Sequence, residues 1–240
     1  MAPDASSKAA LIGHSFTRRL REAFGFRREI TTRHDARQFA RLLKVDHVFE
    51  EVYTITYKDG AKLAGVFDLP TKDFVQRLGI THVVVDVVSN DLARRPSLDP
   101  VFITKIAEFV MLWAAELGVK TVIQKCLPRL RNIAATPEEF QRMADAYNDI
   151  IRTRVDARTG TTRPGTSRRA SSREARLQAI DRRDPNHRQF SAVQRVRYNK
   201  MQGFTVQSWP SVAHPDGIHV ARPRGLYLQR VRTSLLGFLW

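Results

Sequence analysis

Apolar positions in this chain fall into short blocks whose spacing switches between strand-like and helix-like. Ala9–Gly13 is a brief apolar run closed by glycine, and Ser15–Ala23 continues with helix-compatible residues. A helix is predicted over His34–Leu43, with Phe39, Leu42 and Leu43 on one face. Val48–Tyr57 alternates roughly at every second position, which suits a strand before a turn at Asp59-Gly60. Thr81–Val88 is β-branched nearly throughout, as expected of a central parallel strand covered on both faces. Leu98–Leu117 returns to helical periodicity and stops at Gly118, and Val119–Cys126 reads as the next buried strand. Thr136-Pro137-Glu138-Glu139 supplies an N-cap, a proline at the first helical position and an acidic first turn. The helix it opens is predicted to run to about Arg154. Phe204–Trp209 is predicted as a last strand and Arg224–Phe238 as a closing helix. Such alternation argues for an α/β fold, a three-layer α/β/α sandwich around a parallel sheet.

Composition narrows the class. The chain has 240 residues, 42% hydrophobic and 27% charged, enough apolar chain to bury a core and too much for wholesale disorder. A single cysteine, Cys126, excludes an internal disulfide and reads as an inert core residue. Lys105 and Glu108 interrupt the longest apolar stretch, so no transmembrane segment is expected. Residues 1–8 are polar and read as a flexible N-terminus without a secretory signal, which points to an intracellular protein. The histidines outside the motifs below show no metal-ligand spacing, and no metal or cofactor is expected.

The net charge of +16 changes the picture only once it is mapped. Residues 151–200 hold 14 Lys and Arg against four acids, a net of +10. Within them, Ala157–Arg173 is rich in Thr, Ser, Gly and Pro and poor in large apolar residues. That composition predicts a basic, flexible insertion over 157–196 in a domain spanning 9–240, with a short helix near Ser171–Ile180. The insertion reads either as a solvated loop or as an arm that binds nucleic acid without sequence preference. In the second reading Arg163, Arg168, Arg169, Arg173 and Arg176 would neutralise phosphates.

Chemistry in a parallel α/β sheet gathers at the carboxyl ends of the strands. Gly13-His14-Ser15 lies between the first strand and first helix, where unpaired helix N–H groups favour a developing oxyanion. Ser89-Asn90-Asp91 follows the β-branched strand, and a side-chain amide there can donate to an oxyanion. Asp216-Gly217-Ile218-His219 precedes the last helix. Its carboxylate can orient an imidazole that accepts a serine proton. No G-x-S-x-G elbow of the α/β-hydrolase type is present.

The order and spacing of these blocks resemble the SGNH, or GDSL-like, esterase/lipase superfamily. Its G-D-S, strand-two glycine, G-x-N-D and D-x-x-H blocks correspond to Gly13-His14-Ser15, Gly60, Val88-Ser89-Asn90-Asp91 and Asp216-Gly217-Ile218-His219. Leu11–Phe16, Pro215–His219, Gly118–Arg129 and Ala146-Tyr147-Asn148 resemble an esterase-like subgroup often found beside animal retroelement sequences. The resemblance implies a flavodoxin-like sheet and hydrolysis of small acyl esters through an acyl-enzyme. It makes Ser15 the nucleophile, His219 the base and Asp216 its orienter, with the Ser15 N–H, the Gly60 N–H and the Asn90 amide as the oxyanion hole. Gly65 takes the place of Gly60 if the second strand ends later. His14 replaces the aspartate of G-D-S and reads as a surface or helix-start residue. Val88 replaces the glycine of G-x-N-D, where a branched side chain is expected to narrow the pocket or turn the Asn90 loop. The alternative reading is a catalytically degenerate module of a mobile element that binds nucleic acid through the basic insertion.

Overall fold

Five parallel strands pair in the order β2-β1-β3-β4-β5: β1 (Lys8–Gly13), β2 (Glu51–Thr56), β3 (His82–Asp86), β4 (Lys120–Gln124) and β5 (Val196–Asn199). The computed structural model describes residues 7–56, 72–159 and 196–237. Every residue of β3 is buried, so both faces of the sheet are covered, as its run of valines requires. The sheet's flanking helices are α1 (Ser15–Ala23), α2 (Arg33–Leu42), α3 (Lys72–Arg77), α4 (Ser89–Leu92), α5 (Pro100–Glu116), α6 (Pro137–Thr159), α7 (Trp209–Val212) and α8 (Leu228–Leu236). Helices α1 and α2 lie on β2, α8 crosses β3 and β4, and α5 and α6 pack on each other and on β5. The fold is therefore the expected α/β class with a parallel sheet flanked by helices.

Local chemistry sets the helix starts. Asp99 caps α5 by accepting from the N–H groups of Val101 and Phe102 at 3.0 and 3.1 Å, with Pro100 first in the helix. Thr136 accepts from the Glu139 N–H at 3.2 Å and opens α6. Inside α6, the Asn148 side chain accepts from the Cys126 N–H at 2.9 Å and donates to the Cys126 carbonyl at 3.2 Å. That clamp satisfies the backbone where β4 gives way to its loop, and it buries Cys126, whose thiol is pushed up to about 12 by burial.

Several expected boundaries move. Phe204–Trp209 is not a strand: the Ser208 hydroxyl accepts from the Thr205 N–H at 2.9 Å and donates to the Gly203 carbonyl at 2.7 Å, a local alternative to a ladder. The last strand is β5, with Val196 buried. Helix α6 continues past Arg154 to Thr159, so the ends of the span 157–196 lie in α6 and β5. The closing helix begins only at Leu228, after a kink with non-helical backbone at Gly225. The Asp59-Gly60 turn, Gly60, Gly65, the helix expected near Ser171–Ile180, and Arg163, Arg168, Arg169, Arg173 and Arg176 lie outside the described residues. No helix among the described residues is long and apolar enough to cross a membrane.

Candidate active site

The corner between β1 and α1 depends on Gly13. A Cβ there would stand 2.7 Å from the Asp86 carbonyl oxygen of β3 and 2.5 Å from Thr17 Oγ1. Only glycine lets the end of β1 lie this close to its neighbour. The chain then turns at His14 and enters α1 at Ser15, which is buried at the carboxyl edge of the sheet with its N–H among the unpaired donors of the helix start. Of the two expectations for His14, a surface or a helix-start residue, the second holds, since His14 is the N-cap of α1, and the first is corrected, since it is only 2% exposed.

Asp216 and His219 sit in a loop pinned from several sides. Ala213 pairs with Val220 across its base, and the His214 N–H donates to the His219 carbonyl at 2.6 Å. Gly217 takes φ +69°, where an added Cβ would stand 3.1 Å from Leu130 Cβ. Its carbonyl accepts from the Leu130 N–H at 2.7 Å and from Trp209 Nε1 at 3.4 Å. Trp209 is fully buried, so it packs beneath this loop and does not line a cleft. His214 stands beside Asp216 at 3.1 Å with its side chain 44% exposed.

Within this frame three side chains meet. His219 Nε2 lies 2.6 Å from Ser15 Oγ, and His219 Nδ1 lies 2.8 Å from Asp216 Oδ2. The second carboxylate oxygen accepts from the Ile218 and His219 N–H groups at 2.9 and 3.0 Å. Burial opposes ionisation of Asp216, but the backbone N–H and imidazole donors of His219 and the N–H of Ile218 hold its carboxyl well below the usual range. An ionised Asp216 only accepts, so Nδ1 carries the imidazole proton and Nε2 presents a lone pair to the Ser15 hydroxyl. Burial lowers the His219 pKa; Asp216 opposes that shift, while the positive charges of Arg19 and Arg129 add to it. The imidazole is thus neutral and ready to accept a proton.

Asn90 occupies the first turn of α4, directly beyond β3. Val88 makes this turn with φ 83° and ψ −32°, a left-handed conformation rare for a β-branched residue. Glycine adopts it freely. Val88 is fully buried and turns the chain all the same. Arg129, at the loop after β4, donates to the Ser89 carbonyl at 3.0 Å and to Asn90 Oδ1 at 3.2 Å.

The structure thus brings Ser15, Asp216 and His219 together and sets Asn90 in the short helix α4 after the neighbouring strand, while Gly60 and Gly65 lie outside the described residues. Two side chains escaped the sequence reading. Arg19 follows Ser15 by four positions in α1, a spacing that places both on one face, and it donates to Asp216 Oδ2 at 2.8 Å. Arg129 gave one signal, a basic residue a few positions after an apolar strand, but its burial was not legible. Among the described residues no group of acidic, histidine or cysteine side chains is arranged to hold a metal ion.

The fold has a solved counterpart. A crystal structure from Bacteroides fragilis NCTC 9343, described as "a putative acylhydrolase", superposes at a TM-score of 0.53 with 14% identity, covering 100% of this chain and 92% of that one. A chain from Slackia heliotrinireducens, described as "a putative SGNH hydrolase", aligns at 0.46 with 16% identity over 96% of this chain and 98% of its own. No protein-family model and no curated protein matches the chain.

Proposed function

We propose that this protein is a serine ester hydrolase of the SGNH type that acts on small acyl esters through an acyl-enzyme. The observation that carries the reading is the 2.6 Å contact between Ser15 Oγ and His219 Nε2, with His219 Nδ1 bound to an ionised Asp216. The fold shared with the Bacteroides fragilis chain described as "a putative acylhydrolase" supports it.

As Ser15 Oγ attacks the ester carbonyl carbon, its proton passes to His219 Nε2, and the imidazolium is stabilised by Asp216. The carbonyl oxygen becomes an oxyanion that takes the Ser15 N–H and the Asn90 amide as donors, with the Gly60 N–H as the third implied by the family resemblance. Collapse breaks the bond to the alcohol oxygen, which leaves with the proton from His219. Water, deprotonated by His219, then attacks the acyl-Ser15 ester, releasing a carboxylic acid and restoring the serine. The test is turnover of short p-nitrophenyl esters by the wild type and by Ser15→Ala at matched folding. Turnover in the wild type alone is expected, and equal rates across a broad ester panel contradict the reading.

A second reading rests on the +10 net charge of residues 151–200. A basic arm there would tether the hydrolase to nucleic acid, with affinity falling steeply as salt rises. Neutralising Arg163, Arg168, Arg169, Arg173 and Arg176 is expected to abolish that salt-dependent binding, and unchanged affinity for DNA and RNA removes the idea.

A further inference from the structure

Arg129 is a buried guanidinium on which the charges of Asp216 and Asp86 act. Placing a charge out of water is costly unless its donors are used. Burial of Arg129 pulls its pKa down, and its Nη1 donates twice to the turn that carries Asn90, to the Ser89 carbonyl at 3.0 Å and to Asn90 Oδ1 at 3.2 Å, while its Nε has no hydrogen-bond partner among the described residues.

An asparagine amide has two ends of similar shape and opposite function. If its oxygen faced the ester it would repel the developing negative charge; its N–H groups would stabilise that charge. A guanidinium has five donors and no acceptor, so it can hold only the oxygen end. We propose that Arg129 is a positioning residue for the hydrolysis proposed above: it fixes Asn90 Oδ1 and thereby turns the Asn90 Nδ2 donors toward the oxyanion.

The segment bearing Arg129 is well placed for this task. The adjacent Leu130 N–H donates to the Gly217 carbonyl at 2.7 Å, inside the loop that carries Asp216 and His219. The Ile133 and Ala134 N–H groups donate to the Ala93 carbonyl at 3.0 Å, just past the end of α4. One loop therefore joins the proton-transfer half of the site to the oxyanion half. The Arg129 guanidinium also lies over the Phe140 ring of α6, with Cζ 5.7 Å from its centroid, which restricts its swing.

A double-mutant cycle tests the assignment. Arg129→Ala is expected to lower kcat at least about tenfold with KM little changed, because the lost interaction acts mainly in the transition state. In an Asn90→Ala background the same substitution is expected to cost less than about twofold, since the group it orients is gone. Free guanidinium at millimolar concentration should restore part of kcat to Arg129→Ala and none to the double variant. Should Arg129→Ala fail to fold by circular dichroism, Arg129→Lys is taken through the same cycle, with the same non-additivity expected. Losses that multiply in the double variant overturn the assignment while leaving the hydrolase reading intact. Wild-type turnover no higher than that of Ser15→Ala overturns both.

Discussion

Arg19 donates to Asp216 Oδ2 at 2.8 Å, the same oxygen that His219 Nδ1 meets at 2.8 Å. The carboxylate is held from α1 on one side and from its own loop on the other, so the helix that carries Ser15 also helps to fix the orientation of His219. The positive charge also disfavours imidazolium and adds to the lowering of His219. Only neutral His219 accepts a proton, so activity should rise with pH through a midpoint below 6.5. Arg19→Gln removes a charge that lowers this pKa, so the midpoint should move upward. Both partners are about a quarter exposed, at 28% and 27%, so the loss of stability should stay within about 1 kcal/mol. The pH dependence of kcat/KM and a urea titration measure the two effects, and an unmoved midpoint counts against this coupling.

Val88 presents a second measurable conflict. Its left-handed backbone is strained for any residue with a Cβ, at about 1–2 kcal/mol. Its buried side chain contributes a comparable amount in the other direction, about 1.5–3 kcal/mol. Comparing two truncations separates these terms. Val88→Gly relieves the backbone and Val88→Ala does not, so the glycine variant should be the more stable of the pair by about 1 kcal/mol. Chemical denaturation decides it, and alanine proving the more stable would contradict the strained geometry.

At the opposite end of β3, His82 packs edge-on against Phe49 with ring centroids 5.0 Å apart. Burial, aided by the charge of Lys120, lowers its pKa from 6.5 to about 4. The unfolded chain therefore binds this proton more readily than the folded one. The stability involved is fully present above pH 6.5 and is lost as pH falls through 4, by about 3 kcal/mol at most. Asp86 acts in the opposite sense. Burial raises its carboxyl from 3.8 to about 6 against the Tyr227 hydroxyl bond and the Arg129 charge, so its contribution is present below 3.8 and lost as pH rises through 6. His82→Gln removes the first titration alone. Its Tm should drop less than that of the wild type between pH 7 and pH 4.5, and an equal drop would exclude His82 as a source of acid sensitivity.

The parts legible in the sequence were those written in local pattern. The valines of β3 and the glycine closing β1 located two neighbouring strands, and Ser15, Asn90, Asp216 and His219 stood at strand ends in a productive order. β5 was obscured because Val196–Asn199 adjoins a run of arginines whose composition dominates any window that includes it. Phe204–Trp209 misled because its apolar residues suit a strand, while Ser208 diverts the backbone into a local turn. Arg19 and Arg129 depend on contacts spanning 197 and 39 residues, which no local pattern records. Val88 was visible as a departure expected either to narrow the pocket or to turn the Asn90 loop, and the second expectation is the one its φ of 83° matches. Its backbone angle shows that the position governs how the chain turns toward Asn90.

The central claim is that Ser15 is a nucleophile activated by His219. The most direct measurement is covalent labelling with a fluorophosphonate, followed by mass spectrometry of the peptides. The account predicts one stoichiometric adduct on Ser15, formed more slowly as pH falls through the His219 titration and lost in Ser15→Ala and His219→Ala. A folded wild-type protein that stays unlabelled at Ser15, or that labels equally fast without His219, would contradict it.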